Sequence, residues 1–407
     1  MKPMPKVSVI LTSYNHGKYL REAIDSVLKQ TFADFELIIW DDASSDNSWD
    51  IITTYVDPRI KAFRNEEQKR GTWGINKAIA EVASGDYIAI HHSDDVWEAE
   101  KLEKQVAFLD LHPDIGAVFT RATAIAEDGS QLDTHHWYST IFDQPNRSRH
   151  EWLRFFFRQG NALCHPSVLI RKVCYKQCGL YRFGFAQVGD FDMWVRVCLQ
   201  FEIHILPDKL IRFRVLNNEA NASGNRPEVR TRGIYELYKV LQNYRSIEHY
   251  DDLVKVFPSA HSYDRGEETD VEFALAMMAC EEKPFTFTQL FGVDLLFEAI
   301  SDRRRSVNLE RVYGFNYKSF VALTAKQDVF SLEEVRTIRS LLAERDGQLA
   351  RLTQAVAERD GQIANLNQAV AERDAAVQAI KQSNSWKITV PLRAISSLFK
   401  PTDIRGV

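Results

Sequence analysis

The residues best suited to chemistry in this 407-residue chain are two adjacent carboxylates, Asp94 and Asp95, that close an apolar run. Neighbouring carboxylates repel unless something positive lies against them. A hard divalent cation, Mn2+ or Mg2+, meets that need and keeps coordination places for phosphate oxygens. The competing role for Asp95 is structural, since it precedes a helix-like stretch that it could cap. A second acidic cluster, Asp41-Asp42 with Ser44 and Asp46, closes another apolar run. Asp42 there could accept a hydrogen bond from a base N–H or a ribose hydroxyl, while Ser44 and Asp46 could simply cap the next helix. A third cluster, residues 188–196, puts Asp190 at a loop-to-helix junction, as a cap or as a general base. Upstream, GNALCHPS at residues 160–167 offers polar groups that could line an acceptor pocket, although a lone histidine such as His165 has a structural reading too. The chain has no G-x-x-x-x-G-K-[ST] loop and no G-x-G-x-x-G after its first strand, which argues against a P-loop kinase or a dinucleotide oxidoreductase.

The elements that must position these residues alternate. Residues 7–14 are almost continuously apolar, as in a buried parallel strand. Tyr19, Leu20, Ala23, Ile24, Val27 and Leu28 then recur at helical spacing. Residues 35–40 read as a second strand ending at Asp41-Asp42, 48–56 as a helix and 60–63 as a short strand. Residues 72–83 read as a helix stopped by Ser84-Gly85, and 87–91 as a strand running into Ser93-Asp94-Asp95. A helix over 98–109 and a strand over 117–120 follow. The alternation implies an α/β domain with a mostly parallel sheet. Ligands of such sheets collect beyond the carboxyl ends of the strands, where three polar clusters fall here.

Past about residue 225 the pattern turns helical, over 229–256 and 266–345. A 14-residue repeat follows, AERDGQL at 343–349, AERDGQI at 357–363 and AERDAAV at 371–377. Its seam, from Leu342 through Leu349, Leu352, Val356, Ile363, Leu366, Val370 and Val377 to Ile380, steps by three and four, with Arg345, Arg359 and Arg373 in the remaining places. That is a heptad pattern, so a coiled coil and a homo-oligomer are expected; a solitary solvated helix is the competing reading. The tail from Ser385 combines Trp386, Leu392, Ile395, Leu398 and Phe399 with Lys387, Arg393 and Lys400, as in a segment lying in a membrane interface or docked on its own protein. The expected divisions are 1–225, 226–335, 336–384 and 385–407.

Hydrophobic residues make up 45% of the chain and charged residues 26%, with a net charge of -5, so no basic excess points to nucleic acid. Five cysteines suit a reducing compartment, and Cys174 and Cys178 lack the second pair a zinc site needs. The opening MKPMPKVSVIL reads as a first strand rather than a signal peptide, and no apolar run nears the roughly 20 residues that span a bilayer. A cytoplasmic location, with possible peripheral contact on the inner face of the membrane, is the expectation.

In order, KVSVILTSYN (6–15), SVLKQTF (26–32), FELIIWDDAS (35–44), SGDYI (84–88), SDD (93–95) and GDFDMWVR (189–196) resemble the motifs of family-two inverting glycosyltransferases with the GT-A fold, of bacterial surface-polysaccharide type. The resemblance covers about residues 5–215. It implies that Thr12, Tyr14, Asp42, Arg70 and Asp94 contact a UDP- or dTDP-sugar. It implies Asp95 as ligand of Mn2+ or Mg2+, Asp190 as the base that deprotonates a hydroxyl of a glycan or lipid-linked acceptor, and His165 and Asp192 on the acceptor side. The chain departs from the pattern at Ser-Asp-Asp, at Gly189 before the base, and at Asn217, Asn218 and Asn221, where a family histidine is sometimes found. Two other readings compete: a nucleotidyltransferase, although Ser13–Lys18 is no glycine-rich phosphate loop, and a non-catalytic coiled-coil scaffold of a polysaccharide assembly complex.

Overall fold

The computed structural model describes residues 4–70, 72–217, 221, 224–282 and 285–397. The first part of the chain runs β1 (Val7–Ser13), α1 (Gly17–Leu28), β2 (Phe35–Asp41), α2 (Ser48–Thr53), β3 (Ile60–Arg64), α3 (Trp73–Lys77), β4 (Tyr87–His92), β5 (Val96–Trp97), α4 (Lys101–Leu111), β6 (Ile115–Ile125), α5 (Arg149–Gln159), β7 (Leu169–Arg171), α6 (Lys172–Cys178), α7 (Gly189–Cys198) and β8 (Glu202–Arg214). The strands form one sheet in the order β3-β2-β1-β4-β7-β6-β8-β5. Pairing is parallel from β3 through β4 and between β6 and β8, and antiparallel where β7 and β5 insert. The α/β architecture with a mostly parallel sheet is as the sequence implied.

Both faces of the central strands are covered, which is why they read as unbroken apolar runs. Ile10, Ile38, Ile88 and Ile90 pack on one side with Phe119, Trp152 and Trp194. Val9, Leu11, Leu37 and Ile39 pack on the other with Leu20, Ile24 and Val27 of α1. The register then sets the site: Ser13 lies opposite Asp41, and Thr12 lies opposite both Trp40 and His92. The polar residues that end β1, β2 and β4 thus emerge at one edge.

Three elements differ from the sequence reading. α2 stops at Thr53. The stretch expected as one helix over 72–83 is α3 followed by a π-helical turn, Ala78–Val82. α4 starts at Lys101 because Val96–Trp97 pairs with β8 first, so Asp95 caps no helix.

The helices α8 (Pro227–Leu241), α9 (Tyr250–Val256), α10 (Val271–Glu282), α11 (Thr286–Ser301), α12 (Arg303–Tyr313) and α13 (Tyr317–Thr324) belong to the same compact unit, which ends at Phe330. Tyr244, Phe257, Phe273 and Phe291 join the apolar cluster that contains Trp152 and Trp194. The second unit holds α14 (Leu332–Gln382), a continuous helix of 51 residues, and α15 (Asn384–Ser397). The heptad seam of α14 is exposed, with Leu349 and Leu352 each 64% accessible. In α15 the Arg393 guanidinium lies 3.5 Å from the Trp386 ring centroid. Leu398, Phe399 and Lys400 of the expected basic tail lie outside the described residues, as does Asn218. Among the described residues no helix is long and apolar enough to cross a membrane.

The Ser84-Gly85 turn braces the opposite end of the sheet. The buried Glu36 carboxylate accepts hydrogen bonds from Ser8 Oγ (2.6 Å), Ser84 N (2.7 Å) and Ser84 Oγ (2.7 Å), and pairs with Lys61. Burial works against its charge, but these donors hold its pKa below the ordinary value. A Cβ on Gly85 would stand 2.7 Å from Ser8 N and 2.8 Å from Val7 C, both backbone atoms that cannot swing aside. Gly85→Ala should therefore cost about 1–3 kcal/mol, the usual penalty of overpacking. Urea unfolding reads this as a lowered midpoint at unchanged slope, and an unchanged midpoint would contradict it.

Candidate active site

The loops at the carboxyl edge are stitched to one another. Asn15, in the left-handed region at φ 52°, donates its N–H to Ser44 Oγ (2.9 Å) and accepts from Ser45 N (2.8 Å). The Asp42 N–H donates to Ser13 O (2.9 Å). His16 Nδ1 is hydrogen-bonded to Ser93 Oγ at 2.9 Å, which ties the end of β1 to the Ser-Asp-Asp segment. Thr12 is half-buried at the floor of this edge and Tyr14 is exposed.

Asp42 differs from the open carboxylate that the sequence suggests. Its Oδ1 accepts from Asn65 Nδ2 (2.6 Å) and Lys69 N (2.8 Å), and its Oδ2 accepts from Arg70 N (2.8 Å). An ionised carboxylate has about four acceptor sites, so about one is left for a ligand. Asp42 thereby holds the loop on which Arg70 sits, at φ 60°, with its side chain exposed.

At the end of β4 stand Asp94 and Asp95, both buried. Asp95 Oδ1 accepts from the backbone N–H of Arg214 (2.8 Å), and Arg214 Nε donates to Asp94 O (2.8 Å). Arg214 is itself buried, and it reaches Glu22 Oε2 at 2.7 Å. The other oxygen, Asp95 Oδ2, faces His92 Nδ1 at 3.5 Å. His92, Asp94 and Asp95 each offer a ligand atom, all within 4.8 Å of one another. Burial and the adjacent Asp94 charge push the Asp95 carboxyl up to about 6. Burial pulls the His92 imidazole the other way, but Asp95, Asp94 and Asp190 outweigh it and raise its pKa. Crowded anions beside a basic nitrogen are the signature of a place where positive charge is wanted.

Behind His92 runs a chain of polar groups. Its Nε2 is hydrogen-bonded to His165 Nδ1 (3.2 Å), His165 Nε2 to Tyr181 OH (3.0 Å), and Tyr181 OH to Tyr175 OH (3.2 Å). His165 thus lies one step behind His92. Burial, reinforced by His92, drives its pKa well below the ordinary value and keeps it neutral.

Asp190, the second residue of α7, is brought to the same cluster. Its charge acts on His92, Tyr181 and Cys164. Its Oδ2 accepts from Asn161 Nδ2 at 3.0 Å, and burial raises its pKa despite that bond. The N-cap of α7 is Val188, so Asp190 is no cap. Asp192 goes elsewhere. Residues two apart on a helix face nearly opposite ways, so Asp190 and Asp192 cannot share one pocket. Asp192 is fully buried in an ion cluster with Arg196 (2.9 Å) and Arg182 (3.2 Å), and it accepts from Asn243 Nδ2 (2.9 Å). The acceptor-side place expected for it is corrected to a scaffold role, since those partners occupy its oxygens.

Arg214 and Glu236 are residues that sequence reasoning missed. The buried Glu236 carboxylate of α8 accepts N–H groups from Ala186 (2.9 Å), Gln187 (2.8 Å) and Val188 (3.1 Å), the loop that leads into Asp190. Neither carried a local signal: β8 holds other charged residues, and Glu236 lies in a helix that the motifs do not reach.

Comparison with known proteins gives the family. The family model "Glycosyl transferase family 2" matches residues 8–174. Escherichia coli WfaP, named as a UDP-Glc:alpha-D-GlcNAc-diphosphoundecaprenol beta-1,3-glucosyltransferase, is 37% identical over 196 residues, which cover 48% of this chain and 70% of WfaP. The chain belongs to glycosyltransferase family 2. An uncharacterized glycosyltransferase of Methanocaldococcus jannaschii, MJ1057, is 27% identical over 251 residues, covering 60% of this chain and 82% of that one. Among solved structures, S. aureus TarS 1-349 in complex with UDP-GlcNAc superposes with a TM-score of 0.50 at 17% identity, covering 77% of this chain and 93% of that one, a likeness of fold alone. Membership in glycosyltransferase family 2 makes the chain an enzyme and sets aside the nucleotidyltransferase and silent-scaffold readings.

In this glycosyltransferase a raised Asp190 pKa has a consequence for stability. The folded state binds that proton more tightly than the unfolded state, so ionising Asp190 weakens the fold as pH climbs from the unfolded value through the folded one. Asp190→Asn should leave Tm unchanged at about pH 2.5, below the ordinary carboxylate range, and raise it at about pH 7. A lower Tm for the variant at pH 7 would contradict the raised pKa.

Proposed function

We propose that the chain transfers a sugar, with inversion, from a UDP- or dTDP-sugar to a hydroxyl of a lipid-linked or glycan acceptor in surface-polysaccharide synthesis. The observation that carries this reading is the gathering of Asp94, Asp95 and His92 with Asp190 at one edge of the sheet. The acceptor class rests on WfaP, whose name states a diphosphoundecaprenol acceptor, and is carried to this chain as part of the proposal.

In this reading Asp42 accepts a pyrimidine N3–H with its remaining lone pair, a contact that uracil and thymine offer equally. Thr12 and Tyr14 line the nucleotide, Arg70 meets the diphosphate, and Asp94 contacts the ribose or the sugar. Asp190 removes the proton of the acceptor hydroxyl as its oxygen attacks the anomeric carbon from the face opposite the nucleotide. Its raised pKa keeps it basic enough for that task. Asn161 holds the carboxylate in place, and Glu236 fixes the loop that precedes it.

Asp95 Oδ2 and His92 Nδ1 would hold a divalent cation, with Asp94 beside them. An imidazole in the set favours Mn2+ over Mg2+. When bound, the cation offsets the charge that grows on the departing nucleoside diphosphate. In the tautomer that donates Nε2–H to His165, the lone pair of His92 Nδ1 would be free for the cation. The hydrogen bond from the ring's other nitrogen is the usual way to fix the orientation of a ligating histidine. His165 thus serves the cation site, through His92, and not the acceptor pocket. The coiled coil, the homo-oligomer and contact of α15 with the inner face of the membrane belong to the same proposal.

The variants separate the roles. Asp190→Asn should lower transfer by about 10³-fold, within the range of a lost general base, and leave affinity for the donor within about twofold. Equal loss of both would make Asp190 structural. Wild-type protein with Mn2+ should show nitrogen coupling in electron spin-echo spectra, and His92→Gln should abolish that coupling. A spectrum without nitrogen coupling in the wild type would remove His92 from the ligand set.

A further inference from the structure

The exposed seam of α14 carries apolar and charged residues in one heptad phase. The helix runs 51 residues, about 76 Å at 1.5 Å per residue. Positions repeating every seven residues from Val335 to Val377 hold only Val, Leu and Ile, mostly β-branched. Three residues after each comes the second seam position, from Ile338 to Ile380, where arginine alternates with Leu or Ile. The three-then-four order makes the first set a and the second d. β-Branched a positions with Leu at d favour two parallel strands.

Arg345, Arg359 and Arg373 therefore sit at d, and each is followed at e by an aspartate: Asp346, Asp360 and Asp374. Among the described residues none of these six side chains makes a hydrogen bond or ion pair within its own chain. In a parallel pair a d side chain packs into a hole walled partly by the e residue of the facing helix. Each arginine then lies beside the aspartate of the second copy, and every such layer holds two arginines and two aspartates with no net charge. In an antiparallel pair d faces a instead, and each arginine is laid against a Val or Leu with its charge unmet. A parallel slip of one heptad likewise sets each arginine against an apolar d residue. Only the in-register parallel pair, or a slip of two heptads that forfeits 14 residues of overlap, places arginine beside aspartate.

We propose that α14 pairs with α14 of a second copy of this chain as a parallel, in-register, two-stranded coiled coil whose register is fixed by three Arg–Asp layers. The proposal rests on the coiled-coil reading above and adds its direction, stoichiometry and register. The test uses full-length protein carrying a single substitution, Val335→Cys or Val377→Cys, under mild oxidation. Cys164, Cys174, Cys198 and Cys280 are buried and Cys178 is half-buried, so the unsubstituted chain under the same oxidation is the control. The two positions are about 63 Å apart along the helix. Each variant alone should give a disulfide-linked dimer, and light scattering should give the mass of two chains. Cross-linking only when the two variants are mixed would overturn the parallel direction while keeping the pairing. A one-chain mass would overturn the pairing itself, and a three-chain mass the two-stranded form. Replacing Asp346, Asp360 and Asp374 together by Asn should weaken the dimer at least tenfold; an unchanged dissociation constant would overturn the Arg–Asp layers.

Discussion

Carboxylates gathered in a water-poor pocket repel one another, and much of the polar architecture at the carboxyl edge of the sheet answers that repulsion. Asp94 and Asp95 are adjacent and buried, and Asp190 is close enough for its field to reach His92. Arg214 offers the nearest compensation. Its backbone N–H goes to Asp95, its guanidinium spans Asp94 O and Glu22, and its Cζ lies 4.9 Å from the Tyr19 ring centroid. That compensation is incomplete. The Asp95 carboxyl stands near 6 because its surroundings still favour a proton or another positive charge. A fold organised for stability alone has no reason to keep the pocket so. In the proposed function a divalent cation with a nucleoside diphosphate fills it, because the cation would reverse the sign of the local field.

The rest of the molecule keeps that pocket in shape. Parallel register across β2, β1 and β4 delivers three polar strand ends to one edge, and the Glu36–Ser8–Ser84 bonds pin the opposite ends so the register does not slip. The helices after β8 contribute as well. Glu236 gathers three backbone N–H groups of the loop before α7, and Asn243 with Arg182 holds Asp192 on the far side of the same helix. Asp190 is therefore fixed from two directions, and Glu236 and Asn243 among these residues lie beyond the sheet in sequence. The helical region and the sheet share one apolar cluster, which makes this bracing rigid.

What the sequence disclosed followed locality. Asp94-Asp95, Asp41-Asp42 and Asp190 stood out because each closes or opens an element within a few residues, and apolar period located those elements. Arg214 was not legible because it lies 119 residues from Asp95, and nothing local marks a strand arginine as the partner of a distant carboxylate. Glu236 was hidden in the same way, in a helix that the motifs did not reach. The resemblance put Asp192 on the acceptor side, but two residues along a helix from Asp190 its side chain turns the other way, into the Arg182–Arg196–Asn243 cluster. His165 was legible as a polar residue near the site but not as the group behind His92, since that role depends on a hydrogen bond across 73 residues.

The central claim, that this edge holds a cation-bound nucleotide sugar with its anomeric carbon toward Asp190, is tested most directly by a crystal structure with Mn2+ and a non-transferable UDP-sugar. The account predicts an anomalous peak about 2.1–2.3 Å from Asp95 Oδ2, of the order of a first-row metal–carboxylate bond, with His92 Nδ1 in the same shell and the sugar between it and Asp190. A peak at a different carboxylate cluster, or a sugar directed away from Asp190, would contradict it.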